Sequence, residues 1–284
     1  MIDLHTHSTY SDGSLTPPEL VQLAKDVGLT AIALTDHDCT DGLSSFCAAC
    51  SGTGVECVPG VEISAEVPKG TLHMLGYYID RENERLQSVL KEIRNGREIR
   101  NGKILKKLNE LGMDLSWEEV SSYAGEDVIG RPHFSQAMVE RGFVGSKKEA
   151  FDRYLARGKS AYVDRFRLSP AESVDVIAGA GGVAVLAHPF TLDISGHELD
   201  AYVGSLVKIG LQGIEVYYSE HSRAYVKQCE KLAERYDLVK TGGSDFHGDA
   251  NPGIKLGLGF GGLAVHDDLL VLLRRRAEAV RVAA

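Results

Sequence analysis

Four short motifs rich in histidine and aspartate each follow a short apolar stretch of the chain. They are Ile2-Asp3-Leu4-His5-Thr6-His7, Thr35-Asp36-His37-Asp38, Leu186-Ala187-His188-Pro189 and Ser244-Asp245-Phe246-His247. Each apolar stretch is typical of a buried strand, so each polar motif would lie where a strand ends. If the strands are parallel neighbours, the four motifs meet at one rim. Imidazoles and carboxylates at such a rim are typical of a metal site that performs hydrolytic or Lewis-acid chemistry.

Two of the motifs place their polar side chains at alternate positions. His5 and His7 form one pair, and Asp245 and His247 form another. Because alternate residues of a strand point to the same side, each pair could chelate one ion. An isolated pair of this kind is weak evidence, since an ordinary polar strand end has the same pattern.

The other candidate ligands lie in or beside the remaining strands and turns, and they are Asp12, His37, Glu62, His73 and His188. Some have a simpler interpretation by themselves: a solvated turn for Asp12, an exposed strand edge for Glu62, a satisfied buried histidine for His73. Together with the two pairs they make six histidines and three carboxylates, spread from residue 5 to residue 247. Nine ligands exceed what one tetrahedral ion uses, so the sequence predicts two or three divalent ions.

The composition disfavours several classes of protein. The chain has 284 residues and a formal net charge of −9, which disfavours a protein that coats long nucleic acid. No apolar stretch approaches the roughly 20 residues that span a bilayer. No signal peptide is recognised at the N-terminus, so the cytoplasm is the expected location. The five cysteines, an odd number, indicate buried free thiols rather than a disulfide framework.

Short β-type stretches alternate with helical ones over most of the chain. The predicted strands are residues 1–4, 31–34, 56–59, 72–79, 183–187, 213–217 and 238–241. Predicted helices at residues 16–27, 169–180, 198–209 and 222–235 lie between them. This alternation predicts parallel strands with helices outside, and therefore an α/β fold with a closed or nearly closed barrel of about seven strands.

The alternation stops between about residues 80 and 166. Helical spacing prevails there, with further helices predicted at residues 117–123, 134–141 and 147–156. We therefore predict a barrel domain formed by residues 1–79 and 167–284, and an inserted helical subdomain, residues 80–166, that acts as a substrate lid. The segment 81–167 is mildly basic, with 18 Lys and Arg residues against 14 Asp and Glu residues.

The motifs resemble those of the PHP (polymerase and histidinol phosphatase) family. The resemblance rests on His5-x-His7, Asp12, Thr35-Asp36-His37, Gly60-Val61-Glu62, His73, Ala187-His188-Pro189 and Ser244-Asp245-x-His247, and it extends to about residue 260. The N-terminal motif and Arg131-Pro132-His133-Phe134 are most similar to a bacterial subgroup of 3′,5′-nucleoside bisphosphate phosphatases and 5′-3′ exoribonucleases acting on short RNA. The resemblance implies a distorted (β/α)7 barrel with a trinuclear metal centre.

The resemblance also implies which residues hold each ion. The first ion would have four ligands, His5, His7, Glu62 and Asp245. Glu62 would bridge to a second ion, whose other ligands are His73 and His188. The third ion would be held by Asp12, His37 and His247. Because no cysteine belongs to this set, Mn, Fe, Zn and Mg are all plausible.

The charge of such a centre points to phosphate as the substrate group. Three divalent ions and three carboxylate ligands would leave the site with a charge of about +3, which attracts a phosphate dianion. A water bridging the first two ions would lose a proton near neutral pH and attack phosphorus in line. Glu62, His188 and Asp245 are accordingly predicted to be essential for catalysis.

Residues outside the ligand set are candidates for contacts with the substrate. Arg131 and His133 lie near a predicted helix start, where a guanidinium and a helix N-terminus both favour phosphate, although a surface salt bridge is equally plausible. Arg97 belongs to a basic stripe that could also be a solvated helix face. His221 follows a predicted strand at the metal rim and could contact the substrate or protonate the leaving group. Phe190 could stack on a base, although packing is the commoner role.

We predict a cytoplasmic, metal-dependent phosphoesterase that converts a nucleoside 3′,5′-bisphosphate to the 5′-monophosphate and phosphate. The alternatives are a 5′-3′ exoribonuclease acting on short 5′-phosphorylated RNA and a histidinol phosphate phosphatase. The acidic net charge favours a small phosphorylated substrate over long nucleic acid, and no membrane partner is expected. A noncatalytic, metal-stabilised nucleotide-binding module is a hypothesis of a different class. It would predict gaps in the ligand set, and the sequence shows none.

Overall fold

Seven strands form one sheet that curves into a nearly closed barrel. The computed structural model describes residues 1–123 and 129–283. The strands are β1 (Ile2–Asp3), β2 (Ala31–Leu34), β3 (Glu56–Ala65), β4 (Leu72–Tyr77), β5 (Val183–Leu186), β6 (Gly213–Tyr218) and β7 (Val239–Gly243). They follow one another in the sheet in the order of the chain. This architecture confirms the predicted α/β class with a distorted (β/α)7 barrel.

Helices connect most of these strands and form the inserted segment. They are α1 (Pro17–Asp26), α2 (Leu43–Cys50), α3 (Glu84–Glu110), α4 (Trp117–Ser122), α5 (Arg131–Glu140), α6 (Lys147–Ala150), α7 (Pro170–Gly179), α8 (Gly196–Lys208), α9 (Arg223–Arg235) and α10 (Asp268–Ala283). Helix α1 begins as its capping sequence indicates, with the Glu19 carboxylate accepting a hydrogen bond of 2.9 Å from the Thr16 backbone. Helices α2 and α10 were not predicted.

Strand β4 contradicts the expectation that the strands are all parallel. It pairs antiparallel with both β3 and β5, whereas the other neighbouring strands are parallel. The reason is the short connection: only residues 66–71 separate β3 from β4, and a parallel crossover needs a dozen or more residues. The reversal brings the beginning of β4, rather than its end, to the carboxyl ends of β3 and β5.

The barrel closes where the first strand meets the last. The backbone N–H of Leu4 donates to the carbonyl of Gly242 at 3.1 Å, and that of Asp245 donates to His5 at 2.9 Å. Beyond the strands, Thr6 and Phe246 form a parallel bridge. Strands β1 and β7 are therefore adjacent, although about 240 residues separate them in sequence.

The chain divides into two compact units, one formed by residues 1–90 and 168–284 and the other by residues 91–167. The core of the first unit contains apolar residues of the strands, such as Ile2, Val58 and Val185, together with Leu273 of α10. The second unit has its own core, which includes Ile104, Leu108, Phe134 and Met138. Each unit thus buries its own set of apolar side chains.

The cysteines differ in part from the expectation of free thiols. Cys47 and Cys57 form a disulfide, so the expectation is wrong for these two residues, which α2 and β3 bring together. Cys50 and Cys229 are free and buried, as expected, and Cys39 is buried. No helix within residues 1–123 and 129–283 is long and apolar enough to cross a membrane.

Candidate metal centre

All nine predicted ligands lie in the barrel unit, at the rim formed by the carboxyl ends of the parallel strands. His5 and His7 follow β1, His37 follows β2, His188 follows β5, and Asp245 and His247 follow β7. Asp12 lies in the loop between β1 and α1. Glu62 lies within β3, not at a strand end, because β3 continues past Pro59 to Ala65. His73 pairs with Ser64 near the end of β3, because β4 is reversed.

The four residues predicted to hold the first ion converge. The Nε2 atom of His5 lies 3.4 Å from Glu62 Oε2 and 3.3 Å from Asp245 Oδ1. The Nε2 atom of His7 lies 3.4 Å and 3.0 Å from the same two oxygens. Potential ligand atoms of all four residues lie within 4.8 Å of one another, which is close enough to share one ion.

A second group forms around the other oxygen of Glu62. Glu62 Oε1 lies 2.8 Å from His73 Nδ1 and 2.9 Å from His188 Nε2. These two histidine nitrogens are 3.3 Å apart. Oε2 of Glu62 faces the first group and Oε1 faces this one, so the carboxylate can bridge two ions.

A third group contains Asp12, His37 and His247, and His7 lies beside it. Asp12 Oδ1 is 3.2 Å from His247 Nε2, and Asp12 Oδ2 is 3.6 Å from His37 Nε2. His37 also approaches Glu62, with its Nδ1 2.9 Å from Glu62 Oε2. His7 belongs to the first and third groups, and His37 faces both Asp12 and Glu62. The three groups are therefore contiguous.

Several polar atoms at the rim lack hydrogen-bond partners within the two described stretches of the chain and could instead coordinate metal ions. Among the residues described, several buried ligand atoms have no hydrogen-bond partner: His5 Nε2, His7 Nε2, Asp12 Oδ1, His37 Nδ1 and Glu62 Oε2. Buried polar atoms without partners cost free energy, and coordination of divalent ions would satisfy them. Imidazole and carboxylate ligands suit Mn, Fe, Zn and, with more oxygen ligands, Mg.

The charges of these groups are strongly coupled. Burial alone raises the pKa of Glu62, but His37, His73 and His5 outweigh burial and hold that pKa well below its ordinary value. Burial lowers the pKa of His37, but Glu62 and Asp12 outweigh it and raise the pKa to about 10. Burial, helped by the nearby His247 and His37, lowers the pKa of His7 to about 4. Carboxylates and protonated imidazoles thus neutralise one another, and ions would take the place of those protons.

Glu215 of β6 supports two ligands that belong to different groups. Its Oε1 accepts a hydrogen bond of 3.0 Å from His5 Nδ1, so His5 presents Nε2 to the first group. Its Oε2 accepts one of 2.7 Å from the backbone N–H of His188. The side chain is fully buried. The sequence analysis missed Glu215, although a lone acid in the apolar stretch Gly213-Ile214-Glu215-Val216-Tyr217 was a usable signal.

Other buried carboxylates join the loops that carry the ligands. Asp36 accepts hydrogen bonds from the Ser8 backbone at 2.8 Å and from the Ser11 hydroxyl at 2.6 Å. Asp3 accepts from the backbone and hydroxyl of Ser244 at 2.9 and 2.5 Å. Burial raises the pKa of both carboxyls, although these hydrogen bonds counteract it. Asp38 accepts from the backbone of Ser64 at 2.8 Å.

The backbone at the rim adopts conformations that non-glycine residues rarely take. Asp38, His188 and Asp245 have φ angles of 52°, 21° and 58°. Strain of this kind persists only where the surroundings impose it, and it is common at functional sites. The Tyr218 hydroxyl adds to these constraints by donating a hydrogen bond of 2.9 Å to Asp245 Oδ2.

His221 lies beyond the ligands, in the loop that follows β6. Its Nδ1–H donates to the carbonyl of Val216 at 2.9 Å. Its ring centroid is 5.2 Å from that of Tyr218, and burial lowers its pKa. In the neutral imidazole, this contact leaves Nε2 as a hydrogen-bond acceptor. Contact of His221 with the substrate and protonation of the leaving group both stay predictions.

The arginines predicted to bind substrate lie in the other unit, on helices α3 and α5. Arg131 begins α5, and its guanidinium lies 5.7 Å from the ring centroid of Tyr162. Burial and the charges of Arg97, Arg131 and Arg167 lower the pKa of Arg100. These guanidinium groups therefore form a cationic cluster within residues 91–167. The predicted His133 accepts a hydrogen bond of 3.1 Å from the backbone of Gly130.

Comparison with known proteins agrees with this centre. A family model described as PHP domain matches residues 3–166. The 3′,5′-nucleoside bisphosphate phosphatase of Chromobacterium violaceum is 35% identical over 257 residues, covering 90% of either chain. This protein belongs to the PHP family.

Two further similarities extend over most of the PHP chain. A 5′-3′ exoribonuclease of Haemophilus influenzae is 32% identical, covering 86% of this chain and 89% of that protein. A solved structure described as an amidohydrolase from Chromobacterium violaceum with bound sulfate has 34% identity and a TM-score of 0.82, covering 98% and 96% of the two chains. The PHP protein is accordingly a phosphoric ester hydrolase that uses divalent metal ions.

Proposed function

We propose that this PHP protein removes the 3′-phosphate of a nucleoside 3′,5′-bisphosphate, yielding the 5′-monophosphate and phosphate. The observation that carries the proposal is the placement of Glu62, whose two oxygens face two separate sets of histidines. A carboxylate in that position suits a centre of two or more ions, which is typical of phosphoryl hydrolysis. The similar phosphatase of Chromobacterium violaceum supports the choice of substrate.

The residues at the rim would bind three ions. His5, His7, Glu62 and Asp245 would hold one ion, with Glu62 shared by a second ion held by His73 and His188. Asp12, His37 and His247 would hold the third. Bound ions would supply Lewis acidity, a deprotonated water and positive charge for the phosphate oxygens. Tyr218 would keep Asp245 turned so that Oδ1 faces His5 and His7.

Residues outside the ligand set would bind and orient the nucleotide. The cationic cluster suits a phosphate dianion, because guanidinium groups bind phosphate through paired N–H donors. We propose that Arg97, Arg131 and His133 bind the phosphate that is not cleaved, and that the inserted subdomain predicted from the sequence, residues 80–166, acts as a substrate lid. His221 would accept a hydrogen bond at Nε2 from the nucleoside.

The second candidate function is exonucleolytic trimming of short 5′-phosphorylated RNA. The similar exoribonuclease of Haemophilus influenzae favours it, and the same metals and the same arginines would serve. The net charge of −9 supports small substrates over long nucleic acid in either case. We also propose the cytoplasm as the location.

A substrate comparison tests the proposal. Phosphate or nucleotide release would be measured with Mn²⁺ for a nucleoside 3′,5′-bisphosphate, a short 5′-phosphorylated RNA and histidinol phosphate. We expect the highest kcat/KM for the bisphosphate. A higher value for RNA would select the exonuclease function, and a higher value for histidinol phosphate would exclude both. Metal binding without turnover of any substrate would indicate a noncatalytic module.

A further inference from the structure

A pocket of about 320 Å³ opens between the loop that follows β5 and the loop that follows β6. Phe190 and Tyr225 contribute aromatic rings to its lining, and Ser195, Ser222, Asp193 and Glu220 contribute oxygen atoms. Its size lies near the lower limit of ligand pockets, which run from roughly 300 to 1,000 Å³. The volume and the lining suit one small planar group.

Aromatic contacts link the lining of the pocket to the metal centre. Phe190 follows His188 by two residues, and its ring centroid is 5.9 Å from that of Tyr218. The Tyr218 ring is in turn 5.3 Å from His188, and its hydroxyl binds Asp245. A single aromatic ring, that of Tyr218, thus lies between Phe190 of the pocket and the metal ligand His188.

Two polar atoms beside the pocket lack partners within the described part of the chain. They are the Tyr225 hydroxyl and Nε2 of His221, both buried, in rings whose centroids are 4.8 Å apart. Because Nδ1–H of His221 donates to Val216, Nε2 of the neutral imidazole can accept a hydrogen bond from a ligand. Buried polar groups are normally paired, so a polar ligand would complete this environment.

The charges of the lining disfavour a second phosphate. No lysine or arginine is among the residues that line the pocket, whereas Asp193 and Glu220 are. Asp193 is paired with Lys69 at 2.8 Å, outside the lining. Carboxylates and hydroxyls accept hydrogen bonds from amino groups, and aromatic rings stack on planar heterocycles.

We propose that this pocket binds the nucleobase of the substrate and favours bases with an exocyclic amino group. Phe190 and Tyr225 stack on the base, and Glu220 accepts a hydrogen bond from its amino group. Adenine, guanine and cytosine meet this requirement, whereas uracil presents carbonyl oxygens to the carboxylates. The proposal rests on the proposed function, because it assumes a nucleotide at the metals.

The experiment compares substrates that differ only in the base. The four nucleoside 3′,5′-bisphosphates and a 1-O-methylribose 3,5-bisphosphate, which has no base, would be assayed under identical conditions. We expect the wild-type kcat/KM to be on the order of tenfold higher for adenosine than for the base-free compound, with uridine between them. Equal values for all five substrates would overturn the proposal.

Three variants locate the effect in the pocket. Phe190→Leu removes a stacking surface, and Tyr225→Phe removes only the hydroxyl. Both should raise KM for the adenosine compound several-fold, more than for the base-free one. Glu220→Gln should reduce the ratio of adenosine to uridine. The controls are Phe260→Leu and Glu278→Gln, which change an exposed aromatic and an exposed acid outside the pocket. Equal effects in variants and controls would contradict the assignment.

Tyr225→Phe also distinguishes a binding role from a structural one. Removing an unpartnered buried hydroxyl should leave Tm unchanged or raise it, while the preference for a base falls. If no bisphosphate is hydrolysed, the proposed function fails, and binding of adenosine measured by equilibrium dialysis tests the pocket separately. Adenosine binding that Phe190→Leu weakens would support the pocket, and no binding would refute it. A preference for histidinol phosphate would overturn both proposals.

Discussion

Glu215 shows how one buried side chain can serve two metal sites. It orients the imidazole of His5 and also holds the backbone of His188, whose φ of 21° needs support. A glutamine at this position would present an N–H₂ group to one of these two donors, so one contact would be lost. Carboxylates that orient metal ligands in this way commonly affect metal affinity or activity by 10–100-fold.

We therefore expect Glu215→Gln to lower metal affinity and kcat by roughly 10- to 100-fold while the protein stays folded. The measurement is activity as a function of Mn²⁺ concentration, together with the metal content of the purified protein. Glu278→Gln on α10 is the control, because that side chain is exposed. Wild-type metal content and activity in the Glu215 variant would refute the positioning role.

Glu62 and His188 are predicted to be indispensable in a different way, since each would contact an ion directly. Glu62→Ala and His188→Ala should reduce kcat by at least about 100-fold, more than a change at a supporting residue. Activity and circular dichroism would be measured side by side, so that loss of fold is distinguished from loss of chemistry. Retained turnover in a folded Glu62→Ala protein would exclude a bridging carboxylate.

At the scale of elements, the reversed strand β4 completes the centre. His73 stands near the start of its strand, whereas the other histidine ligands follow their strands. It reaches the rim only because the short connection of residues 66–71 forces β4 to run antiparallel. Pairing of Ser64 with His73 and of Met74 with Leu186 then sets His73 between Glu62 and His188. A local turn thus determines a ligand of the second ion.

Helix α5 offers a test of phosphate binding that is independent of the metals. Arg131 stands at its N-terminus in the cationic cluster, and Arg141 at its C-cap pairs with Glu119. Arg131→Ala should raise KM for the bisphosphate roughly tenfold or more with a smaller effect on kcat, because a charge-assisted contact is lost. Arg141→Ala is the matched control and should leave KM unchanged. An unchanged KM in Arg131→Ala would remove this residue from the binding site.

For the molecule as a whole, metal ions would link strands from both ends of the chain. His5 and His7 follow the first strand, Asp245 and His247 follow the last, and a bound ion would hold the barrel closed between them. We expect Mn²⁺ at 100 times its dissociation constant to stabilise the native state by about 2.7 kcal/mol. Tm should therefore rise by roughly 4–5 °C for a chain of this size.

Thermal unfolding of chelator-treated protein, with and without added Mn²⁺, measures this effect. His5→Ala combined with Asp245→Ala is the matched control, because it removes ligands from both ends of the barrel. The rise in Tm should be much smaller in that protein. An equal rise in the wild type and the double variant would show that Mn²⁺ stabilises the chain elsewhere.

Local sequence patterns were sufficient to predict most of the secondary structure and the candidate metal ligands of this protein. Apolar stretches and capping residues predicted all seven strands and most helices. The nine ligand candidates could be identified because histidines and carboxylates in or beside buried strands need partners. These signals are contained in a few neighbouring residues, so they can be read without knowing the fold.

Other features were decided by tertiary structure alone. The extension of β3 through Glu62, the pairing of Cys47 with Cys57, the support by Glu215 and the pocket beside Phe190 all depend on which segments lie side by side. Such neighbours are set by strand pairing and loop length across tens to hundreds of residues. The sequence shows that Glu215 is an acid within an apolar stretch. It does not show which residues Glu215 contacts, because His5 and His188 approach it only when β1, β5 and β6 lie side by side.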